Sequence, residues 1–182
     1  GGAEPLQQRI LAAPAAAQAQ IEGHIEGYAS YDPSTTCHVK PRAGTVTLYH
    51  WVVHRYGGGY AGASRPCHRK PASEHQTGRA FDWALDATKR ADRQRARAFL
   101  DRVLATDARG HRDAWARRMG VMYVIWDDHM YPAWTHFERE RYLSSTCPSR
   151  KKCSATLRHR DHLHVSLSRR GAKGLTSWYD GR

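Results

Sequence analysis

The feature that most constrains this chain is an alternation of histidine and aliphatic residues near its carboxyl end. Within residues 161–168 every second residue is aliphatic, and His162 and His164 stand between them. This period of two predicts a strand that is buried on one face. Both imidazoles then lie on the other face, about 6–7 Å apart at a rise of roughly 3.3 Å per residue. One can bind a metal ion while its neighbour reaches a water or substrate atom; two polar residues on a solvated face is the alternative.

A second strand is predicted over residues 78–85. Its aromatic residues point to one side, and Asp82 lies on the other side between two alanines. A carboxylate in such a place is costly without a cation beside it, so we expect either a metal ion or a nearby arginine. His75 precedes the strand in a turn marked by Gly78, from which it can fold back toward Asp82.

The segment from Ser73 to Asp82 resembles a known metallopeptidase motif. It follows the pattern SxHxxGxAxD, which is the motif of the LAS metallopeptidases, the group named for lysostaphin, D-Ala-D-Ala metallopeptidases and hedgehog. The pair His162-x-His164 resembles the second motif of that group in its HxH form. Further similarity to a secreted, mostly actinobacterial and fungal branch extends over roughly residues 28–170.

This resemblance implies a zinc ion held by His75, Asp82 and His164, with one coordination position open for water. It also implies that His162 is the catalytic histidine. The D-Ala-D-Ala dipeptidases and carboxypeptidases carry a glutamate three positions before the last ligand, where this chain has Asp161. Because a regular strand would turn Asp161 to the opposite face, the identity of the general base stays open.

Three more residues are predicted to contact substrate. Related enzymes orient the substrate with an arginine ahead of the motif, and Arg65 takes that position here, with an ordinary surface charge as the alternative. Ser73 opens the motif. Trp126 ends an apolar run, residues 121–126, which is typical of a central strand beside the metal-binding strands and would leave Trp126 near the cleft.

The cysteine content predicts disulfides. The chain has an even number of cysteines, and their spacing does not fit a zinc knuckle: Cys37, Cys67, Cys147 and Cys153. The simplest pairing is Cys37–Cys67 with Cys147–Cys153, which would require an oxidising compartment. Four free thiols in a cytosolic enzyme is the alternative.

The chain is divided into an appendage or linker over residues 1–27 and one domain over residues 28–182. The first segment is rich in Ala, Gln and Glu and has no apolar run long enough for a signal peptide or a membrane span.

Helices are predicted over residues 44–56, 86–107 and 113–119. His50 and His54 lie four apart in the first helix and are interpreted as a solvated edge rather than a metal pair. The second helix is predicted to bury five residues: Ala91, Ala98, Phe99, Val103 and Leu104. Gly120 is expected to end the third helix.

Residues 127–160 mix aromatic and charged residues and are predicted to form a cleft wall that selects substrate. The segment contains His129, His136 and His159. Each of these histidines is interpreted as a surface residue, with a role beside His162 as the alternative.

The net charge of +12 and a pI near 10 indicate an anionic partner. For an exported peptidase that resembles this group, the partner is bacterial cell-wall peptide, with anionic wall polymers that hold the enzyme nearby. No nucleic-acid-binding motif is present, and the aromatic residues are not interleaved with basic ones. We therefore expect a secreted, cell-wall-associated monomer without a specific nucleic-acid partner.

Together these features predict an α+β fold, in which a small central antiparallel sheet carries the zinc site and helices pack outside it. The predicted function is hydrolysis of peptide bonds in peptidoglycan, as a D-Ala-D-Ala carboxypeptidase or an endopeptidase. The alternative is an inactive cell-wall binding module that keeps zinc for stability.

Overall fold

The computed structural model describes residues 24–67 and 73–182. Within these residues the chain forms four α-helices and one sheet of six strands. The helices are α1 Ala43–Tyr56, α2 Arg90–Val103, α3 Ala114–Met119 and α4 Arg169–Ala172. The strands are β1 Gly59–Gly62, β2 Ala80–Ala84, β3 Val121–Trp126, β4 His129–Pro132, β5 Glu140–Arg141 and β6 His162–Leu167.

The strands follow the order β1-β2-β6-β3-β4-β5, and every neighbouring pair is antiparallel. The two strands predicted from the motifs, β2 and β6, are therefore neighbours, and β3 lies on the other side of β6. The predicted α+β fold with an antiparallel sheet is confirmed. The 121–126 strand lies, as predicted, beside a strand that carries candidate ligands, namely β6.

The apolar core lies on one face of the sheet. Phe81 and Trp83 of β2 and Leu163 and Val165 of β6 are fully buried there, and helices α1 and α2 pack over them. The alternation predicted for both strands is thus found in the structure, because every second side chain points into this core.

Helix α1 matches the predicted 44–56 helix within one residue at its start. It ends where Gly57 adopts a φ of 87°, a left-handed conformation that favours glycine. His50 and His54 are exposed, as expected for a solvated edge.

Helix α2 is shorter than the predicted 86–107 helix. Asp86 instead accepts hydrogen bonds from the backbone and the hydroxyl of Thr88 in a turn ahead of the helix. The expectation that Ala91 and Ala98 are buried is wrong, because both are exposed. The apolar stripe at spacings of three and four is formed by Ala96, Phe99, Leu100 and Val103, and the two alanines lie outside it.

The third predicted helix is also confirmed, since α3 ends at Gly120 with a φ of 70°. The chain then enters β3, all of whose residues are buried.

Both predicted disulfides are present. Cys37–Cys67 has a Cα–Cα distance of 5.8 Å and joins the segment before α1 to the segment after β1. Cys147–Cys153 has a Cα–Cα distance of 5.2 Å and closes a small loop. The two bonds are compatible with an extracellular protein. In the part of the chain that the structure describes, no helix has the length and apolar character needed to cross a membrane.

The predicted appendage, residues 1–27, lies mostly outside the described residues. Within its last residues, Glu26 accepts hydrogen bonds from the backbone and hydroxyl of Ser177. The chain is therefore attached to the domain just before residue 28.

Candidate metal centre

Three side chains meet on the sheet face opposite the apolar core. Asp82 and His164 are directly paired across β2 and β6, so they project side by side. His75 comes from the 3₁₀ helix Glu74–Thr77, which precedes β2. His75 Nε2 and His164 Nδ1 lie 3.1 and 3.0 Å from Asp82 Oδ1. One ligand atom from each of the three residues lies within 4.8 Å of the others, so the group could hold a metal ion.

The local sequence explains how His75 reaches Asp82. Ser73 caps the short helix, and its hydroxyl accepts a hydrogen bond from the backbone N–H of His75 at 3.3 Å. Gly78 ends the helix with a φ of 72°. A Cβ at Gly78 would lie 2.5 Å from the backbone oxygen of Lys40, so only glycine fits this turn. The turn brings the chain back over the face that carries Asp82.

The protonation states of the group favour a cation. Burial by itself would raise the pKa of Asp82, but the hydrogen bonds with His164 and His75 outweigh burial and lower the pKa of this carboxyl. Burial lowers the pKa of His164. An ionised Asp82 carboxylate beside a neutral His164 imidazole suits a divalent metal ion.

The donor set also fits a cation geometrically. The Nε2 atom of His164 lies 2.7 Å from Ser166 Oγ. A proton on Nδ1 donates to Asp82 when no cation is bound. A proton on Nε2 can instead donate to Ser166 Oγ, which leaves the Nδ1 lone pair free for a cation beside Asp82. Nitrogen lone pairs and a carboxylate repel one another unless a positive charge lies among them. Within the described residues, His75 Nδ1 is buried without a hydrogen-bond partner. No neighbouring group therefore selects the tautomer of this imidazole through Nδ1.

His162 lies beside the group and is oriented by Asp161. Its Nδ1 atom is 2.7 Å from Asp161 Oδ1, and its Nε2 atom is 3.7 Å from Asp82 Oδ1. The expectation that Asp161 points to the opposite face is wrong, because β6 begins only at His162 and Asp161 precedes the regular strand. Thr156 donates a hydrogen bond of 2.5 Å to the second oxygen of Asp161.

The Asp161 carboxyl is held ionised. Burial would raise its pKa, but the hydrogen bonds from Thr156 and His162 lower it. An ionised carboxylate on Nδ1 keeps a proton there and leaves Nε2 free to accept one. Asp161 therefore orients His162, and it is the Nε2 atom of His162 that lies near Asp82.

His159 also lies at the centre, contrary to its interpretation as a surface histidine. Its ring centroid is 4.6 Å from that of His162 and 5.9 Å from that of His164. Burial lowers the pKa of His159 to about 3, so this imidazole is neutral. His129 and His136 lie elsewhere: His129 contacts Arg139, and His136 stacks on a tyrosine.

Backbone hydrogen bonds bring His159 to this place. The N–H of Asp127 donates to the carbonyl of His159, and the N–H of Asp128 donates to the carbonyl of Arg158. Ion pairs of Asp128 with Arg158 and of Asp127 with Arg160 reinforce the contact, at 2.7 and 2.9 Å. The turn between β3 and β4 thus holds the segment that enters β6.

Of the three residues predicted to contact substrate, Arg65 and Ser73 lie near the histidine–aspartate group. Arg65 reaches the centre, with a guanidinium nitrogen 3.7 Å from Asp82 Oδ2, and its side chain is 53% exposed. It therefore lies on the open side of the group. Ser73 lies next to His75 as the helix cap described above.

The expectation that Trp126 borders the cleft is wrong. Ile125 pairs with His164, so alternation along β3 turns Trp126 to the other face of the sheet. There Trp126 belongs to the apolar core, and its edge lines a cavity of about 640 Å³ beside α2.

Sequence reasoning gave no role to Glu74 and Tyr123. The Tyr123 hydroxyl donates to Glu74 Oε2 at 2.6 Å, and the Tyr123 ring stacks on His164 at a centroid distance of 5.5 Å. Burial raises the pKa of Tyr123, with further effect from the Glu74 charge, so the phenol stays protonated. Glu74 and Tyr123 together hold one side of His164. The only feature of the sequence that pointed to this pair was the position of Glu74 inside the motif. Tyr123 could not be found from the sequence, because its place beside Glu74 depends on β3 lying next to β6.

The fold and the site together define an α+β domain with a buried histidine–aspartate–histidine group. Residues 37–148 match the model of the family described as VldE, C-terminal domain, which is more than half of the chain. The chain therefore belongs to that family. The match includes His75 and Asp82, whereas His162 and His164 lie beyond it. Comparison with curated proteins and with solved structures found no match.

Proposed function

We propose that this protein is a zinc-dependent peptidase that hydrolyses peptide bonds in bacterial peptidoglycan. One observation carries the proposal: two distant segments bring two imidazoles and a carboxylate within 4.8 Å of one another, with a third imidazole, His162, beside them. Structural zinc sites are closed by four protein ligands, whereas three ligands leave a position for water or substrate.

Zinc suits this set because it accepts imidazole nitrogen and carboxylate oxygen together. When bound, zinc would make a water acidic near neutral pH and polarise a peptide carbonyl. The chain itself supplies the proton transfer. Asp161 keeps the proton on Nδ1 of His162, so Nε2 accepts a proton from the attacking water or donates a hydrogen bond to the tetrahedral intermediate.

Arg65 supports substrate binding on the open side of the centre. An exposed guanidinium beside the group can bind a carboxylate or a peptide carbonyl of the substrate. A carboxypeptidase needs a cation for the free carboxylate of its substrate, so this arginine favours a carboxypeptidase over an endopeptidase.

The cell wall as substrate is supported by three features. The motif Ser73–Asp82 and the His162-x-His164 pair resemble the LAS metallopeptidases, and for an exported peptidase of that group the resemblance implies peptidoglycan peptides as substrate. The net charge of +12 favours an anionic surface. Two disulfides are compatible with export to such a surface.

The decisive experiment measures the release of amino groups from purified cell wall, with and without a chelator. We expect release that the chelator abolishes and that added zinc restores. His162→Ala should lower release by ~10²-fold or more. His54→Ala, which changes an exposed histidine of α1, should leave release unchanged. Adhesion to the wall without release would show a binding module instead.

Defined muropeptides then sharpen the substrate. We expect loss of the terminal residue from peptides that end in D-Ala-D-Ala, and Arg65→Gln should raise KM for these peptides. Cleavage of internal bonds with no effect of Arg65→Gln would identify an endopeptidase.

A further inference from the structure

A second polar cavity lies at the far end of β2, apart from the histidine group. It has a volume of about 170 Å³, several times the ~30 Å³ that one water occupies in the liquid. Its walls come from the segment before α1, from the start of β2 and from α4. The polar lining consists of four cationic residues and three threonines: Arg42, Arg79, Arg169, Lys173, Thr35, Thr36 and Thr77.

The charges around this cavity do not balance. Arg169 pairs with Asp32 at 2.9 Å. Arg42 and Lys173 have no ion pair within the described ranges 24–67 and 73–182. With Arg79, which also has no ion pair among the described residues, three positive charges line this small space. Since like charges repel in a partly buried place, an anion between them would be stabilising.

Arg79 makes this imbalance more costly because it is only 3% exposed. Its guanidinium donates to three neutral oxygens: Thr77 Oγ1 at 3.1 Å, the Leu167 carbonyl at 3.1 Å and the Asp32 carbonyl at 2.8 Å. Among the described residues, no carboxylate lies within ion-pair distance of it. The Glu74 and Asp32 carboxylates act on it from farther away. Glu74 already accepts the hydrogen bond of a tyrosine, and Asp32 pairs with Arg169.

A buried charge is normally paired. Three neutral acceptors use three of the five N–H groups of the Arg79 guanidinium, so two remain for another acceptor. Burial lowers the pKa of Arg79, which is the direction expected for a cation without a close counter-charge.

The amino end of α1 adds to the positive potential. Arg42, which lines the cavity, is the residue before this fourteen-residue helix. The helix has no acidic residue in its first turn and no side-chain cap. The helix dipole therefore acts at this end without a negative side chain to offset it.

We propose that this cavity binds a tetrahedral oxyanion, namely phosphate, either as the free ion or as a phosphodiester of an anionic polymer. The guanidinium groups, the Lys173 ammonium and the Thr35 and Thr36 hydroxyls supply donors that phosphate oxygens accept, whereas the Thr77 hydroxyl already donates to the Glu74 carbonyl. A phosphodiester would give the predicted anionic wall polymer a specific place on the protein. The site consists of residues outside the histidine group, and its binding does not require hydrolysis.

The test is isothermal titration calorimetry of the full chain in chloride buffer. The probes are inorganic phosphate, the diester glycerophosphoglycerol, and acetate as a planar anion. We expect phosphate or the diester to bind and acetate not to bind. Phosphate alone would assign the free ion, and the diester would assign the polymer. Absence of heat with both phosphorus compounds, or equal binding of acetate, would overturn the proposal.

Charge variants locate the binding. Arg42→Gln combined with Lys173→Gln should weaken binding roughly tenfold or more, because each removes a charge-assisted contact. Arg97→Gln is the matched control, since Arg97 is an exposed arginine of α2 with no ion pair among the described residues. An equal loss in Arg97→Gln would show a response to net charge and overturn the site. Thermal unfolding shows whether each variant is folded. If the double variant does not fold, phosphate binding by the single variant Lys173→Gln replaces it as the test.

None of these measurements depends on peptidase activity. Binding of phosphate with no release from cell wall would leave this site in place and contradict only the proposed function. Release from cell wall without phosphate binding would support the proposed function and contradict the phosphate site.

Discussion

The two faces of the central sheet are made by the same strands and are both buried, yet they differ in what burial requires. On the core face, Leu163 and Val165 are fully buried among other apolar side chains. On the opposite face, His162, His164 and Asp82 are at most 9% exposed, and both histidines lie within 3.7 Å of the Asp82 carboxylate. Burial alone stabilises the first face, whereas the second is stable only if each polar group has a partner.

This difference explains why one strand can serve both stability and chemistry. Neighbouring residues of β6 point to opposite faces of the sheet. A substitution at Leu163 therefore changes the packing of the core, whereas a substitution at His164 changes the histidine–aspartate group. The two consequences can therefore be separated experimentally at adjacent residues.

The largest effect is expected for His164→Ala. Loss of a residue that only hydrogen-bonds to a metal ligand lowers metal affinity by about 10–100-fold. His164→Ala removes a proposed ligand itself, so zinc affinity should fall by more than that. Equilibrium dialysis with metal analysis measures this. Full zinc retention in His164→Ala, or no zinc in the wild type, would contradict the ligand assignment.

Leu163→Ala tests the other face at the neighbouring position. Loss of a fully buried leucine should lower the free energy of unfolding by about 2–5 kcal/mol, through lost burial and the cavity left behind. Denaturant unfolding measures it. The folded variant should keep the zinc affinity of the wild type; a joint loss of both would show that the two faces are not separable.

His162→Ala should affect chemistry only. We expect zinc to be retained and turnover to fall by ~10²-fold or more, because the proposed acceptor of the water proton is lost. Assay of amino-group release, with zinc content measured in parallel, separates the two. Unchanged turnover would remove His162 from the mechanism.

Tyr123→Phe should have the smallest effect. It leaves the carboxylate of Glu74 buried without the phenol that donates to it, which should cost about 1–3 kcal/mol of stability. The ring that stacks on His164 is kept, so zinc affinity should fall far less than in His164→Ala. Tyr60→Phe is the control, since Tyr60 is 57% exposed on the edge strand β1. Equal losses in the two variants would contradict a role for the buried hydrogen bond.

Much of the fold was predictable because its signals are local. The alternation within residues 161–168 predicted β6, and the apolar run 121–126 predicted β3. Three short strands were not predicted: β1, β4 and β5. They have at most four residues each and gain their stability from pairing with a neighbour rather than from a pattern of their own.

The site was predictable to a similar extent. The motif around His75 and Asp82 indicated residues that the structure does bring together with His164. The prediction for Trp126 was wrong because it needed the register of β3 against β6, in which Ile125 and not Trp126 lies beside His164. Register depends on contacts between segments that are distant in the chain.

The chain's local pattern was enough to predict which side chains share a face of each strand, since that follows from the period of two along the backbone. It also indicated the simplest cysteine pairing and the residue types available for a metal. The contacts of His159 and Tyr123 with this group, and of Asp161 with His162, became evident from the folded structure alone. These contacts depend on where a strand begins and which strands are neighbours, and both are set by the packing of the whole chain.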